Sequence, residues 1–380
     1  MEYTETLQKL TQSTDFVTNA RLTHVLINAV KNKQVRFDKQ TSKEFHDFVM
    51  TELSRIKDVL PTLPDYEAKD KLFFYEDALV GLFTFLTMSA VPFADEDYTV
   101  MTEVCKAVDA EQRVPHAVDA AFKLDKIDSA DAKKIVDLLV TIDDEFERGI
   151  FYSSVVDGND NGALDKFTPE ARAVVVDYIA SEIDRYLAIE APSEAVTHCL
   201  EYVADACGKF ACDRLLDGAE KLLSVKRPNV RYYAMRTLVD NGRGVPSEVV
   251  TEMAEDLEYA ELTYSLLARS GMITLFPKKY ASPEYLAKSD MVHWLCYPTE
   301  LGKAPDEIEL FGTVDVKKQP YYVFKYKSDS DNLSDELKNR WLIGWSSDDG
   351  GTFSHFTPLD ECEKKTPEKT LKFIKKKLIG

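Results

Sequence analysis

Lys226-Arg227-Pro228-Asn229-Val230-Arg231-Tyr232-Tyr233-Ala234-Met235-Arg236-Thr237-Leu238 decides the class of fold. Proline opens the stretch with its φ already helical and no N–H to leave unbonded. Val230, Ala234 and Leu238 then recur at four-residue steps and line one stripe of a helix. The small alanine in that stripe lets a neighbouring helix approach closely. Pro246-Ser247 opens a second helix that turns Val249, Val250 and Met253 inward.

The same spacing spreads outward through residues 1–302. Thr168-Pro169-Glu170 is a helix start, with a hydroxyl at the N-cap, proline at the first position and then an acid. Val175, Tyr178, Ile179, Ile183, Tyr186 and Leu187 follow on one face, with Glu182, Asp184 and Arg185 elsewhere. Similar segments run over about 5–30, 42–60, 68–90, 98–109, 130–153, 194–206, 209–224, 230–241, 247–256, 260–270 and 283–296. Proline and glycine mark the joints. Strand alternation is absent before residue 305. Many short helices with short joints suit stacked helix pairs better than one bundle.

The Pro-x-Val-Arg start with Ala and Leu following resembles the first helix of a HEAT repeat. A shift of 29 residues brings Tyr259, Thr263 and Leu267 under Val230, Ala234 and Leu238, with Ala260 in place of Arg231. The resemblance is best over residues 193–290 and implies a HEAT-like helical-hairpin solenoid with a superhelical surface for other macromolecules.

From residue 303 the period changes to two. Glu309–Val316, Tyr321–Tyr326 and Trp341–Ser346 alternate as strands, with Gln319-Pro320 read as a turn. Asp348-Asp349-Gly350-Gly351 is a hairpin signal before a fourth strand. Thr366-Pro367-Glu368 opens a last helix with Leu371, Ile374 and Leu378 on its apolar face. The expectation is an all-helical body, 1–302, followed by a small α+β domain, 303–380, with about four antiparallel strands and a C-terminal helix. If that helix covers one face of the sheet, the other presents aromatic side chains to a partner. Arg231, Tyr321, Tyr322, Trp341 and Trp345 are the candidate partner-binding residues, because arginine and aromatic residues dominate binding hot spots.

Charge follows the same division. The 380 residues carry 47 Lys+Arg and 66 Asp+Glu, a net charge of -19. Residues 303–380 hold 14 of each sign, so the first 302 hold 33 against 52 and the whole of the excess. Such a body disfavours nucleic acid, whose phosphates need lysine and arginine opposite them, and favours a basic protein partner. Glu2, Glu5 and Asp15 interrupt the first thirty residues, which do not read as a signal peptide. The uncharged run from Ala78 to Ala94 is cut by Pro92 and is too short to span a membrane. Six scattered cysteines read as reduced thiols of a cytoplasmic protein.

Motifs for chemistry are sparse. Asp157, Asn159, Asn161 and Asp165 fall at loop positions one, three, five and nine of a stretch resembling an EF-hand calcium loop, with Gly162 at the turn. Thr168 replaces the bidentate Glu at position twelve, which removes two of about seven oxygens. A polar helix–helix joint explains the same residues, so neither calcium nor another cofactor is expected. His198, Cys199, Cys207 and Cys212 lack the paired spacing of a zinc site. No P-loop, nucleophile elbow or H-E-x-x-H is present. The resulting expectation is a non-enzymatic scaffold of the bacterial cytosolic kind that binds a basic macromolecule, as an immunity or antitoxin protein does. The alternatives are a hydrolase-type enzyme with a site in the groove between helical body and C-terminal domain, near His293, Trp294, Tyr297, Asp348 and His355, and a calcium-dependent adaptor through 157–168.

Overall fold

A computed structural model describes residues 39–59, 126–140, 163–347, 351–355 and 367–376, with single positions elsewhere. Among them the chain is mainly helical, with one small four-stranded antiparallel sheet. It divides into two compact units, Met1–Leu222 and Leu223–Gly380.

The first unit contains α1 (Lys39–Val59), α2 (Ser129–Val140), α3 (Pro169–Leu187), α4 (Glu194–Lys209) and α5 (Asp213–Leu222). Thr168 caps α3 as expected, its hydroxyl accepting the Ala171 N–H at 3.2 Å. Val175, Tyr178, Ile179, Ile183 and Tyr186 are buried, whereas Leu187 is exposed. Glu182 is buried rather than exposed, and Arg185 neutralises it one turn on at 3.0 Å.

Helix directions in this unit can be read from its bonds. Ile127 and Phe167 form a parallel bridge, with the Ile127 N–H on Lys166 O at 2.9 Å and the Thr168 N–H on Ile127 O at 3.0 Å. Helices α2 and α3 begin two residues after each partner, so they set out side by side. Arg214 of α5 pairs with Asp177 of α3, and Lys221 pairs with Asp184 at 2.8 Å. Both partners advance by two helical turns, which requires parallel helices. Gly218 marks the closest approach, since a Cβ there would sit 2.8 Å from Ile183 Cδ1.

The second unit contains α6 (Pro228–Asp240), α7 (Ser247–Glu255), α8 (Ala260–Arg269), α9 (Pro283–Leu295), strands β1 (Glu307–Val316), β2 (Gln319–Lys327), β3 (Leu342–Ser347) and β4 (Phe353–His355), and α10 (Pro367–Ile374). Val230, Ala234 and Leu238 are fully buried, and so are Thr263 and Leu267 at the 29-residue shift. The rings of Tyr232 and Tyr259 meet at 5.9 Å, and Asp240 accepts from Arg269 at 3.3 Å. Contacts at both ends in the same order make α6 and α8 parallel.

The strands follow one another as β1-β2-β3-β4, each antiparallel to the next. One face packs on α9, with Phe324, Tyr326 and Leu342 against Ala287, Met291 and Leu295. The opposite face packs on α10, with Val314, Val323, Ile343 and Trp345 around Leu359 and Ile374. Glycine permits close contact on each side. A Cβ on Gly344 would lie 2.2 Å from Met291 Cε, and one on Gly312 would lie 2.7 Å from Leu371 Cδ1.

This two-sided cover corrects the expectation of a sheet face open to a partner. Helix α9, read from the sequence as part of the helical body, is the second cover. The change of charge and pattern at residue 303 therefore falls inside a compact unit, whose core is shared by α9 and the strands.

Two local expectations also shift. The turn before β2 is Lys317-Lys318, with φ of 52° and 73°, and not Gln319-Pro320. Proline tolerates the first positions of a strand. Two positive φ values make the type I′ hairpin that matches strand twist. Along β1 the register slips between Leu310 and Gly312, so Phe311 is an extra residue and the alternation changes phase there. Lysine is a costly occupant of the left-handed region. The double substitution K317N/K318G is therefore expected to stabilise the unit by about 1–2 kcal/mol, read as a rise in thermal midpoint. An unchanged midpoint would contradict the turn geometry.

Candidate functional site

A cleft of about 300 Å³ opens between α8, α9 and the end of β3. Glu261, Tyr264 and Ser265 share one face of α8 because they lie three and four residues apart. Pro283, Leu286, Ala287 and Asp290 share the facing side of α9 by the same rule, and Ser347 closes the end. Tyr259, just before α8, meets His293 and Glu261 meets Ser289, so contacts retreat along α9 as they advance along α8 and the two helices run antiparallel. Ser289, fully buried, accepts the Glu261 backbone N–H at 2.8 Å and so satisfies one free donor at the start of α8.

The two carboxylates in the cleft have different surroundings. Ser346 donates to Asp290 Oδ2 at 2.8 Å, and the Thr352 hydroxyl bonds to the same oxygen. Both hydroxyl residues are buried, so Asp290 is held by groups that cannot move far. Glu261 accepts from Ser265. Burial raises its pKa above the ordinary carboxylate range and the Asp290 charge adds to the rise, against opposing effects of Ser265 and His293. The His293 ring contacts Tyr259 at 6.5 Å and Tyr297 at 5.4 Å, and among the described residues its buried Nδ1 has no hydrogen-bond partner.

The raised Glu261 has a defined pH signature. Its folded form holds a proton over a range where the unfolded form has lost it, so the folded state binds more protons there. Stability therefore falls as pH rises from the ordinary glutamate value through the folded one. The substitution E261Q is expected to flatten that part of the profile, leaving the midpoint near that of wild type at pH 4 and raising it at pH 8. Parallel melting profiles for the two proteins would refute the assignment.

The residues nominated from sequence do not assemble here. Arg231 is committed within its own unit, with Nε on Val225 O at 2.7 Å and a further bond to Glu252. Trp345 is 4% exposed and belongs to the core beneath α10, so its ring offers no surface. Tyr321 packs at the edge of that core and Tyr322 at the edge of the core on α9, both half-buried. Trp341 is half-buried beneath Lys325 and Lys327, whose ammonium groups stand 4.1 and 4.2 Å from its ring centroid. Among the described residues the exposed aromatic side chains are instead Tyr297, Phe353 and Phe373.

Trp294 is occupied by a bond to Ser354 at 3.2 Å, which itself donates to Glu300. His355 lies on β4, and Asp348 lies outside the described residues. Of the calcium-loop residues, Asp165 is exposed in a short 3-10 turn, whereas Asp157, Asn159 and Asn161 lie outside the described residues. Among the described residues no three His, Cys, Asp or Glu side chains gather into a metal-binding set. Cys199 and Cys207 are buried thiols outside any disulfide, and Cys199 accepts a hydrogen bond from the Tyr186 hydroxyl at 2.8 Å. No described helix is long and apolar enough to cross a membrane.

Glu261, Tyr264, Ser265, Asp290 and Ser347 escape sequence reading because each looks like an ordinary polar residue of its own segment. The spacing of 261, 264 and 265 against 283, 287 and 290 was the available signal, and it needed the pairing of α8 with α9. No protein-family model, curated protein or solved structure matches the chain.

Proposed function

We propose that the protein is a non-enzymatic interaction scaffold of the cytoplasm, whose HEAT-like helix pairs present an acidic surface to a basic macromolecular partner. An immunity or antitoxin-type protein masking a basic effector is the specific form of this reading. The observation that carries it is the segregation of charge, with the entire net charge of -19 in the first 302 residues. An excess of one sign steers an oppositely charged partner and disfavours others. Parallel partners at offsets of 37 residues in one unit and 29 in the other support stacked repeats. Calorimetric titration with a 20-residue mixed Lys/Arg peptide tests the reading. Binding should weaken about tenfold or more between 50 and 200 mM salt. Absence of binding at low salt, or affinity indifferent to salt, would overturn it.

One observation favours a second reading, a hydrolase. Glu261 is pushed towards protonation beside a hydrogen-bonded Asp290, an arrangement able to divide acid and base roles. Such an enzyme would lose turnover in E261Q with little change in KM, and hydrolysis unaffected by that substitution would exclude this cleft.

A further inference from the structure

Half of the described acids of the second unit form an ion pair with lysine or arginine. Glu252 has Arg231, Asp240 has Arg269, Glu255 has Lys279, and Glu309 has Lys325. Glu261 and Asp290 are two of the acids without such a pair, and they share one cleft. Their partners are hydroxyl groups and, for Glu261, a His293 interaction through space. Among the described residues neither makes an ion pair with lysine or arginine, although both line one partly enclosed cleft. Two like charges in such a place raise each other's energy, and buried charges are ordinarily compensated.

The rest of the wall suggests what compensates them. Leu286, Ala287 and Pro283 add apolar lining beside Asp290 and across from Glu261. That amphipathic lining suits an alkyl stem ending in a cation, which buries its methylenes while the charged end meets oxygen. A volume of about 300 Å³ lies at the small end of ligand sites and suits one side chain rather than a broad surface. A divalent metal asks for six or more close oxygens. Here one of two carboxylates already accepts two hydroxyl bonds, and no third acid is among the described residues that line the cleft.

We infer that the cleft between α8, α9 and β3 is a receptor for a single lysine or arginine side chain of the basic partner, with Asp290 and Glu261 as its acceptors. Asp290, positioned by Ser346 and Thr352, is the fixed acceptor. Glu261, carried on the first turn of α8, is the adjustable one. The inference rests on the proposed binding of a basic partner and adds where one of its side chains is read.

The test uses the full chain with methyl-labelled alanine and leucine, observed by NMR during titration with N-acetyl-arginine methylamide and N-acetyl-lysine methylamide. The neutral citrulline analogue is the control. Saturable shifts of the Ala287 and Leu286 methyls are expected with at least one cationic probe and not with citrulline. Binding should weaken about tenfold in E261Q and in D290N and stay unchanged in E309Q. E261Q keeps shape and polarity on a helix surface, so it provides a folded variant if D290N unfolds by losing its two hydroxyl bonds. No saturable shift, equal affinity in wild type and E261Q, or shifts produced by calcium or magnesium chloride in place of the organic cations would each overturn the inference. The 20-residue Lys/Arg peptide separates the two levels. Equal binding of that peptide by wild type and E261Q overturns the cleft and leaves the acidic scaffold standing, whereas failure of the peptide to bind either protein overturns the scaffold reading.

Discussion

Replacing Trp345 with alanine should cost about 4 kcal/mol, because the change deletes a core aromatic and leaves a cavity that β-sheet neighbours cannot close. The indole is 4% exposed and packs with Val323, Ile343, Leu359 and Ile374 beneath α10. Thermal unfolding should show a midpoint lowered by about 10 °C. The contrast with Trp341→Ala makes the test specific. Trp341 is half-buried, packs at the edge of the same core and lies beneath two lysines, so it should cost less, about 2 kcal/mol, from lost packing as well as lost cation–π contact. Were Trp345 a surface anchor, both variants would stay folded and differ only in binding. Similar small midpoint changes for the two would contradict the packing described for this face.

On the opposite face, Gly344→Val is expected to destabilise by about 3 kcal/mol through overpacking. A Cβ at that position meets Met291 Cε at 2.2 Å and the Phe353 carbonyl oxygen at 2.9 Å. The methionine end can move, but the backbone oxygen of the paired strand cannot without breaking the ladder. A double-mutant cycle isolates the contact. G344A and M291A should each destabilise, and the double variant should be more stable than the sum of the two losses by about 1 kcal/mol. Strict additivity would show that α9 does not press on the sheet at this point.

These two positions also show where sequence reading succeeds and stops. Helices announced themselves because burial of Val230, Ala234 and Leu238 is a local matter of one face in 3.6 residues. Strand alternation in β2 and β3 was equally plain. Which surfaces meet was not, because that depends on pairing between distant segments. Gly344 carries no mark of the methionine that presses on it, and Trp345 looks the same in sequence whether α10 covers it or water does. The phase change at Phe311 and the lysine turn at 317–318 were hidden too, since the strands' register decides both. The cleft is the extreme case. Asp290 reaches Glu261 only through antiparallel packing of α8 and α9, and its hydroxyl donors arrive from beyond residue 345.

Sharing of α9 between helices and sheet has a consequence for synthesis on the ribosome. The helix leaves the exit tunnel well before β3, yet Ala287, Met291 and Leu295 bury themselves only once Phe324 and Leu342 have been made. At ordinary elongation rates that wait lasts about 3–10 seconds. For that interval a nascent chain carries a bare oily stripe, a natural landing place for a chaperone.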